Sequence, residues 1–257
     1  MRKAAQAGDW QRCAALVEKG DPDRFAAAMM GPLAARRVLF PLYAFNLEVA
    51  RAPWASKEPM IAEMRLQWWR DMLDDIANGK APQPHEVASP LADILDGPGA
   101  RLLDRLVAAR RWDIYDAPFD DPAHFAQYLE DTSGALMWAA ARALGAPETA
   151  QSKVLRLGAA LGLARYFQAI PRLEAAGKTP LLDGRPEAIR ALAQEARQHM
   201  KRRPLRRAVG RSAAAALTEA WSGEILLGQV HISPRRVAAD ALAISPLQRA
   251  LALWRWS

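Results

Sequence analysis

Apolar residues along this chain recur at steps of three and four and almost never alternate, which is the signature of amphipathic helices packed on one another. The stretch "YAFNLEVARAPW" shows both the pattern and its ambiguity. Tyr43, Leu47, Ala50 and Trp54 stand four, three and four apart, so a helix stacks them along one side, and that side is either core or the wall of a pocket. The same periodicity predicts helices near 2–19, 22–30, 33–53, 57–78, 100–116, 122–144, 148–176, 186–202, 212–227 and 234–254. Their ends are punctuated. "GDP" at 20–22, "SP" at 89–90, "DP" at 121–122 and "SP" at 233–234 put a capping residue before a first-turn proline, and Gly79, Gly145 and Gly177 stand where helices should stop. The broken stretch 79–99, "GKAPQPHEVASPLADILDGPG", reads as a surface excursion. Several of these helices exceed the usual length, and neither a repeat nor a boundary is marked, so the expectation is one all-α domain over 1–257, a single large helical bundle.

Composition narrows function mainly by exclusion. A chain of 257 residues can bury a substantial core, and 51% hydrophobic with 25% charged residues excludes pervasive disorder. The single cysteine, Cys13, permits no internal disulfide and reads as a small apolar filler, which fits a reducing compartment. Asp9, Gln11 and Arg12 interrupt the first twenty residues, so no signal peptide is expected. The best uncharged runs, "VLFPLYAFNL" and "TSGALMWAAA", fall far short of the roughly 20 apolar residues a spanning helix requires. The expectation is a cytoplasmic protein able to touch the inner membrane surface without crossing it.

The usual catalytic motifs do not occur. His85, His124, His199 and His231 are scattered, with no second histidine or cysteine at metal-ligand spacing, and there is neither a G-x-S-x-G elbow nor a glycine-rich phosphate loop. Asp71, Asp74 and Asp75 in "RDMLDDI" lie one turn apart and could hold Mg²⁺, but they are interleaved with Gln67, Arg70 and Asn78 opposite an apolar face, the pattern of a solvated outer surface. Between Glu195 and Glu219 the chain carries Arg197, Lys201, Arg202, Arg203, Arg206, Arg207 and Arg211 with no acid, against a net charge of +7. Near acidic lipid each such residue contributes on the order of 1 kcal/mol. No aromatic residue interrupts the run to stack on bases, so nucleic acid is not the expected partner. Two readings stay open: a solvated helix end and loop, or contact with an anionic membrane surface, joined there by Trp254 and Trp256 unless these simply pack a C-terminal helix.

Four segments in order, "RRVLFPLYAFNLEVARAPW", "EMRLQWWRDMLDDI", "YLEDTSGALMWAAARALG" and "LGLARYFQAIPRLEAAGKTPLL", resemble the squalene and phytoene synthase family across roughly residues 21–182. The resemblance implies the isoprenoid-synthase fold, an all-α bundle around a deep central cavity. In active members two facing helices each carry an aspartate-rich motif, because carboxylates four apart on a helix point the same way and two such pairs hold the Mg²⁺ that binds a diphosphate and stabilises its departure. Carried onto this sequence, the first pair falls at Ala50 and Trp54 and the second set at Ala169, Arg172 and Leu173. Glu48 is the one acid between 43 and 54, and none lies between Gln151 and Arg172, so a shift of a residue does not restore the motifs.

The implied site has changed sign, with Arg51, Arg165 and Arg172 near where acids belong. No catalytic residue, metal ligand or cofactor is expected. "AFNLEVA", "MRLQWW", "YLEDTSG" and the tryptophan-rich "PLQRALALWRWS" resemble a degenerate subgroup of the family, the assembly factors of mitochondrial respiratory complex I and their bacterial relatives. That resemblance implies a non-catalytic assembly or binding factor for a membrane respiratory complex. An alternative keeps the cavity as a prenyl diphosphate or lipid site, lined by Tyr43, Leu47, Ala50, Trp54, Tyr166, Ala169 and Leu173 and gripped by Arg51, Arg165 and Arg172. A third reading is a divergent prenyltransferase that recruits Asp71, Asp74 and Asp75, or Asp113 and Asp116.

Overall fold

The computed structural model describes residues 9–56 and 58–257, and among these no strand occurs. The first part of the chain folds as α1 (Asp9–Gly20), α2 (Pro22–Met29), α3 (Leu33–Arg51), α4 (Pro59–Ala77), α5 (Ala88–Ile94) and α6 (Gly97–Ala109). The rest folds as α7 (Pro122–Leu129), α8 (Ala135–Ala143), α9 (Gln151–Ala175), α10 (Pro186–Arg197), α11 (Arg202–Ala213), α12 (Gly223–Ile232), α13 (Arg235–Ala238) and α14 (Pro246–Trp256). The predicted punctuation operates as expected at several ends. Asp21 and Asp121 cap α2 and α7 by accepting from the backbone N–H of Arg24 and His124 at 2.9 and 2.7 Å. Gly79, Gly145 and Gly177 follow α4, α8 and α9 with φ of 73°, 90° and 82°, which a side chain would strain.

Three stretches depart from expectation. Only the first part of 79–99 is a surface excursion: residues 79–86 are exposed or half-buried, whereas Val87, Ala88, Leu91 and Leu95 are buried and α5 packs against α3 and α1. Pro90 sits in the first turn of that short helix and the other prolines and glycines flank it, while its one-turn apolar spacing carries it inward. The basic run is helical rather than loop over most of its length, because Leu205, Val209 and Ala213 supply an apolar side for α11, bent at Gly210. The helix expected over 234–254 divides into α13 and α14, separated by a link in which Asp240 has φ of 50°. Ser245 starts α14 through a capping box with Gln248, a signal present in "SPLQ". The segment predicted over 2–8 lies outside the described residues.

The buried side chains form one continuous cluster. Its tightest crossing is between α9 and the π-helical turn Glu130–Gly134 that joins α7 to α8. A Cβ on Gly158 would stand 2.7 Å from both the Gly134 Cα and the Ser133 carbonyl oxygen, so the two backbones touch where only glycine fits. The 3-10 stretch Ala214–Ser222 lies at the hub, packed by α2, α3, α8, α9, α11, α12 and α14. α2, α3, α9 and this stretch carry one group of interior polar side chains, and Asp113, Thr132 and Lys178 lie elsewhere in the interior.

Candidate functional site

At that hub a charged cluster is enclosed by the bundle. Arg24 on α2 donates from Nε to Glu219 Oε2 at 2.7 Å and from Nη1 to Asp21 Oδ2 at 2.9 Å, and its guanidinium lies 5.5 Å from the centre of the Tyr43 ring. Arg165 on α9 approaches the same Glu219 Oε2 at 3.8 Å, within ion-pair range but without a hydrogen bond. Glu219 and Tyr43 are each 1% exposed and Arg24 is 7% exposed. Two guanidinium groups and two carboxylates balance formally, which makes the enclosure of four charges tolerable. Burial alone would raise the Asp21 carboxyl, but Arg24, Arg165 and the Arg24 backbone N–H outweigh it and hold it at about 2. Burial pushes the Tyr43 phenol well above its usual range, with the Glu219 charge adding to it. Burial, then the like charge of Arg24, depresses Arg165.

The cluster is incompletely satisfied. The Tyr43 hydroxyl, Glu219 Oε1 and both terminal nitrogens of Arg165 are enclosed with no hydrogen-bond partner among the protein atoms. Buried polar groups ordinarily find partners, so these four atoms leave the hydrogen-bonding capacity of the cluster partly unused.

The stripe Tyr43, Leu47, Ala50, Trp54 runs outward from this centre. Tyr43 is buried, Leu47 and Ala50 are half-buried, and Trp54 is 40% exposed at the rim. There its ring takes two cations, Arg172 and Lys178, each 5.4 Å from its centre. The three arginines expected to grip one phosphate are therefore distributed. Arg165 turns to Glu219, Arg172 covers Trp54, and exposed Arg51 lies against Gly20 at the end of α1. Leu173 is buried, Ala169 half-buried, and Tyr166 faces a different cluster, donating to the Pro180 carbonyl at 2.9 Å.

That second cluster is more fully paired, with Arg110 Nε and Trp112 Nε1 left without a hydrogen-bond partner among the protein atoms. Asp113 accepts from the Tyr128 hydroxyl at 2.8 Å and from Arg110 at 2.9 Å, while Arg110 also donates to the Tyr128 oxygen at 2.8 Å. Buried Lys178 donates to the carbonyls of Asp113 and Tyr115 at 2.9 and 2.7 Å and pairs with Asp116 at 3.5 Å. Trp112, Phe119, Phe125, Tyr128 and Tyr166 stack around it. Asp113 and Asp116 are thus held by cations. Asp71 and Asp74 are exposed and engaged by Gln67 and Asn78 at 2.8 and 3.0 Å, and Asp75 lies 3.8 Å from Lys80, as a solvated outer face requires. Among the described residues no three acids, histidines or cysteines gather as a metal-holding group.

Of the basic run, Arg197, Lys201, Arg203, Arg207 and Arg211 are exposed and Arg202 and Arg206 half-buried. Arg206 binds the carbonyls of Trp256 and Ser257, tying α11 to α14. Trp254 is 74% exposed but Trp256 is fully buried, so the terminal tryptophans divide between surface and core. Sequence reasoning missed Arg24, Asp21 and Glu219. Asp21 reads as a helix cap and is also an ion-pair partner. Glu219 is an isolated charge among alanine, leucine and tryptophan in "AAAALTEAWS", a signal that it needs a buried cationic partner, whereas Arg24 follows Asp21 and Asp23 and gives no such local signal.

The class of protein follows from fold and sequence together. The squalene/phytoene synthase family profile matches residues 17–249, and the chain belongs to that family. Among solved structures, a dehydrosqualene synthase in complex with ligand superposes with a TM-score of 0.76 at 13% identity, covering 96% of this chain and 95% of that one. A squalene synthase, HpnC from Alicyclobacillus acidocaldarius, gives 0.69 at 17% identity, covering 90% and 94%. These likenesses establish the isoprenoid-synthase bundle. The curated relatives carry another name. The Drosophila melanogaster "NADH dehydrogenase (ubiquinone) complex I, assembly factor 6 homolog" is 29% identical over 168 residues, 63% of this chain and 50% of that protein. The Bos taurus and Homo sapiens assembly factor 6 proteins are each 26% identical over 161 residues, 62% of this chain and 48% of theirs. The chain spans about half the length of the curated relatives it matches. No helix among the described residues is long and apolar enough to cross a membrane.

Proposed function

We propose that this chain works by binding rather than by prenyl transfer, as a non-catalytic assembly factor for a membrane-bound respiratory complex. The observation that carries the reading is the fate of the carboxylates at the bundle centre. Asp21 and Glu219 are engaged by Arg24, while the positions matched to the family's metal ligands are Ala50, Trp54, Ala169, Arg172 and Leu173. That donor set does not suit Mg²⁺, which takes unpaired oxygen ligands in near-octahedral array. The names of the curated relatives support the choice of client. Two measurements test it. Affinity purification of the tagged chain from its native membrane fraction should recover subunits or assembly intermediates of a respiratory complex. The purified chain with Mg²⁺ should give no product from farnesyl or geranylgeranyl diphosphate. Turnover abolished by chelation would overturn the non-catalytic part, and a membrane fraction yielding no respiratory subunit would overturn the client.

A second reading is favoured by the four unpartnered polar atoms at the centre. Tyr43, Arg165 and Glu219 would take the head of a small polar or phosphorylated lipid, with Leu47 and Ala50 along its tail. Titration calorimetry with a non-hydrolysable prenyl diphosphate in chelator should then show binding that Arg165→Gln weakens. Absence of heat at high ligand concentration would leave ordered water as the guest.

A further inference from the structure

The C-terminal helix is apolar on two sides although it lies at the surface. Ala252, Leu253 and Trp256 face the core and fix α14 to the hub, where Trp256 and Thr218 are 3.3 Å apart through carbonyl and hydroxyl. Leu247, Leu251 and Trp254 stand four and three apart on the outer side, 71%, 57% and 74% exposed. Gln248, Arg249 and Arg255 occupy other positions on the helix, and the three outer apolar side chains form a ridge that nothing among the described residues covers.

The ridge does not stand alone, because cations crowd beside it. Arg206 of α11 grips the carbonyl end of α14, and Arg202 is pushed down by burial and by the like charges of Arg206, Arg255 and Arg203. Arg203 and Arg207 lie one turn apart on the exposed side of α11, with Arg211 just past the bend. Of the acids nearby, Glu224 is taken by Arg255.

We infer that α14 and α11 form a membrane-docking surface, with Leu247, Leu251 and Trp254 entering the headgroup boundary of an anionic bilayer while Arg203, Arg207 and Arg211 meet its phosphates. Charge complementarity selects the occupant: a row of unpaired arginines beside an apolar ridge matches a surface that is anionic outside and apolar beneath. An indole at the edge of such a ridge is suited to the headgroup layer. This inference is independent of the proposed client and stands or falls separately from it.

Vesicle co-sedimentation of the full chain decides the matter. Binding is expected to phosphatidylcholine vesicles containing phosphatidylglycerol and not to phosphatidylcholine alone. The triple variant Arg203→Gln, Arg207→Gln, Arg211→Gln should weaken it on the order of 100-fold, from roughly fivefold per residue. Leu247→Ser with Leu251→Ser should weaken it as well while leaving the circular dichroism unchanged, since both side chains are exposed. Brominated lipid should quench the wild-type fluorescence more than that of Trp254→Phe. Binding that neither variant changes overturns the inference. So does capture by immobilised polyglutamate that the ridge variant leaves intact, which assigns the cations to an acidic protein, or complete competition by free inorganic phosphate, which assigns them to a simple anion site.

Discussion

The two charged clusters inside this bundle are built from the same residue types and finished differently. Around Asp113, each carboxylate oxygen has a donor, the Tyr128 hydroxyl both gives and receives, and Lys178 is met by two carbonyls. Around Glu219, one carboxylate oxygen, one phenol and two guanidinium nitrogens have no hydrogen bond. A closed network fastens elements together, whereas an open one carries a desolvation penalty that a guest can relieve. With Arg110 Nε and Trp112 Nε1 the exceptions, the first network fastens the Arg110–Ile114 turn to α7, and the second is the one whose charged groups keep unused hydrogen-bonding capacity.

The comparison is broken most forcefully at Glu219. Glu219→Ala leaves Arg24 and Arg165 enclosed with one carboxylate fewer, and urea unfolding should show a loss of about 3–5 kcal/mol. A loss near zero would mean that water already neutralises the centre. A smaller effect is expected from pH. The Asp21 carboxyl is held at about 2 in the folded chain, below its ordinary value of 3.8, so its contribution is fully present above the unfolded value and fades as pH drops through the folded one. Unfolding followed between pH 5 and 2 should lose about 2 kcal/mol through this group. Asp21→Asn should flatten that part of the curve, and an unchanged slope would remove Asp21 from the account.

The phenols sharpen the contrast further. Tyr128→Phe deletes a donor to Asp113 and an acceptor for Arg110, and should cost about 1–3 kcal/mol. Tyr43→Phe deletes a hydroxyl without a protein partner and should change the stability of the free chain by no more than about 0.5 kcal/mol. Equal losses in the two variants, measured by the same denaturant midpoints, would erase the distinction between closed and open.

The sequence revealed the helical order, the caps at Asp21 and Asp121 and the glycine stops, because these depend on local spacing and local chemistry, whereas Ser89 lies within α5 and Ser233 ends α12 instead of capping the next helix. It hid what depends on contact between distant segments. Glu219 meets Arg24 across 195 residues, and no local pattern joins them. α5 was obscured because prolines and glycines surround a short apolar helix, and the division of α13 from α14 was obscured because apolar residues continue through the link. The opening stripe was legible as a stripe, and it answers its own ambiguity by position. Tyr43 is interior, Trp54 is rim, and one helix carries both.

Arg165 and Tyr166 are consecutive residues of α9, and they serve opposite clusters, one reaching Glu219 and the other Pro180. The helix is therefore a common axle. The side chain that reaches Glu219 and the one that ties α9 to Pro180 are set by the same short length of backbone, held close to the π-helical turn where Gly158 meets Gly134.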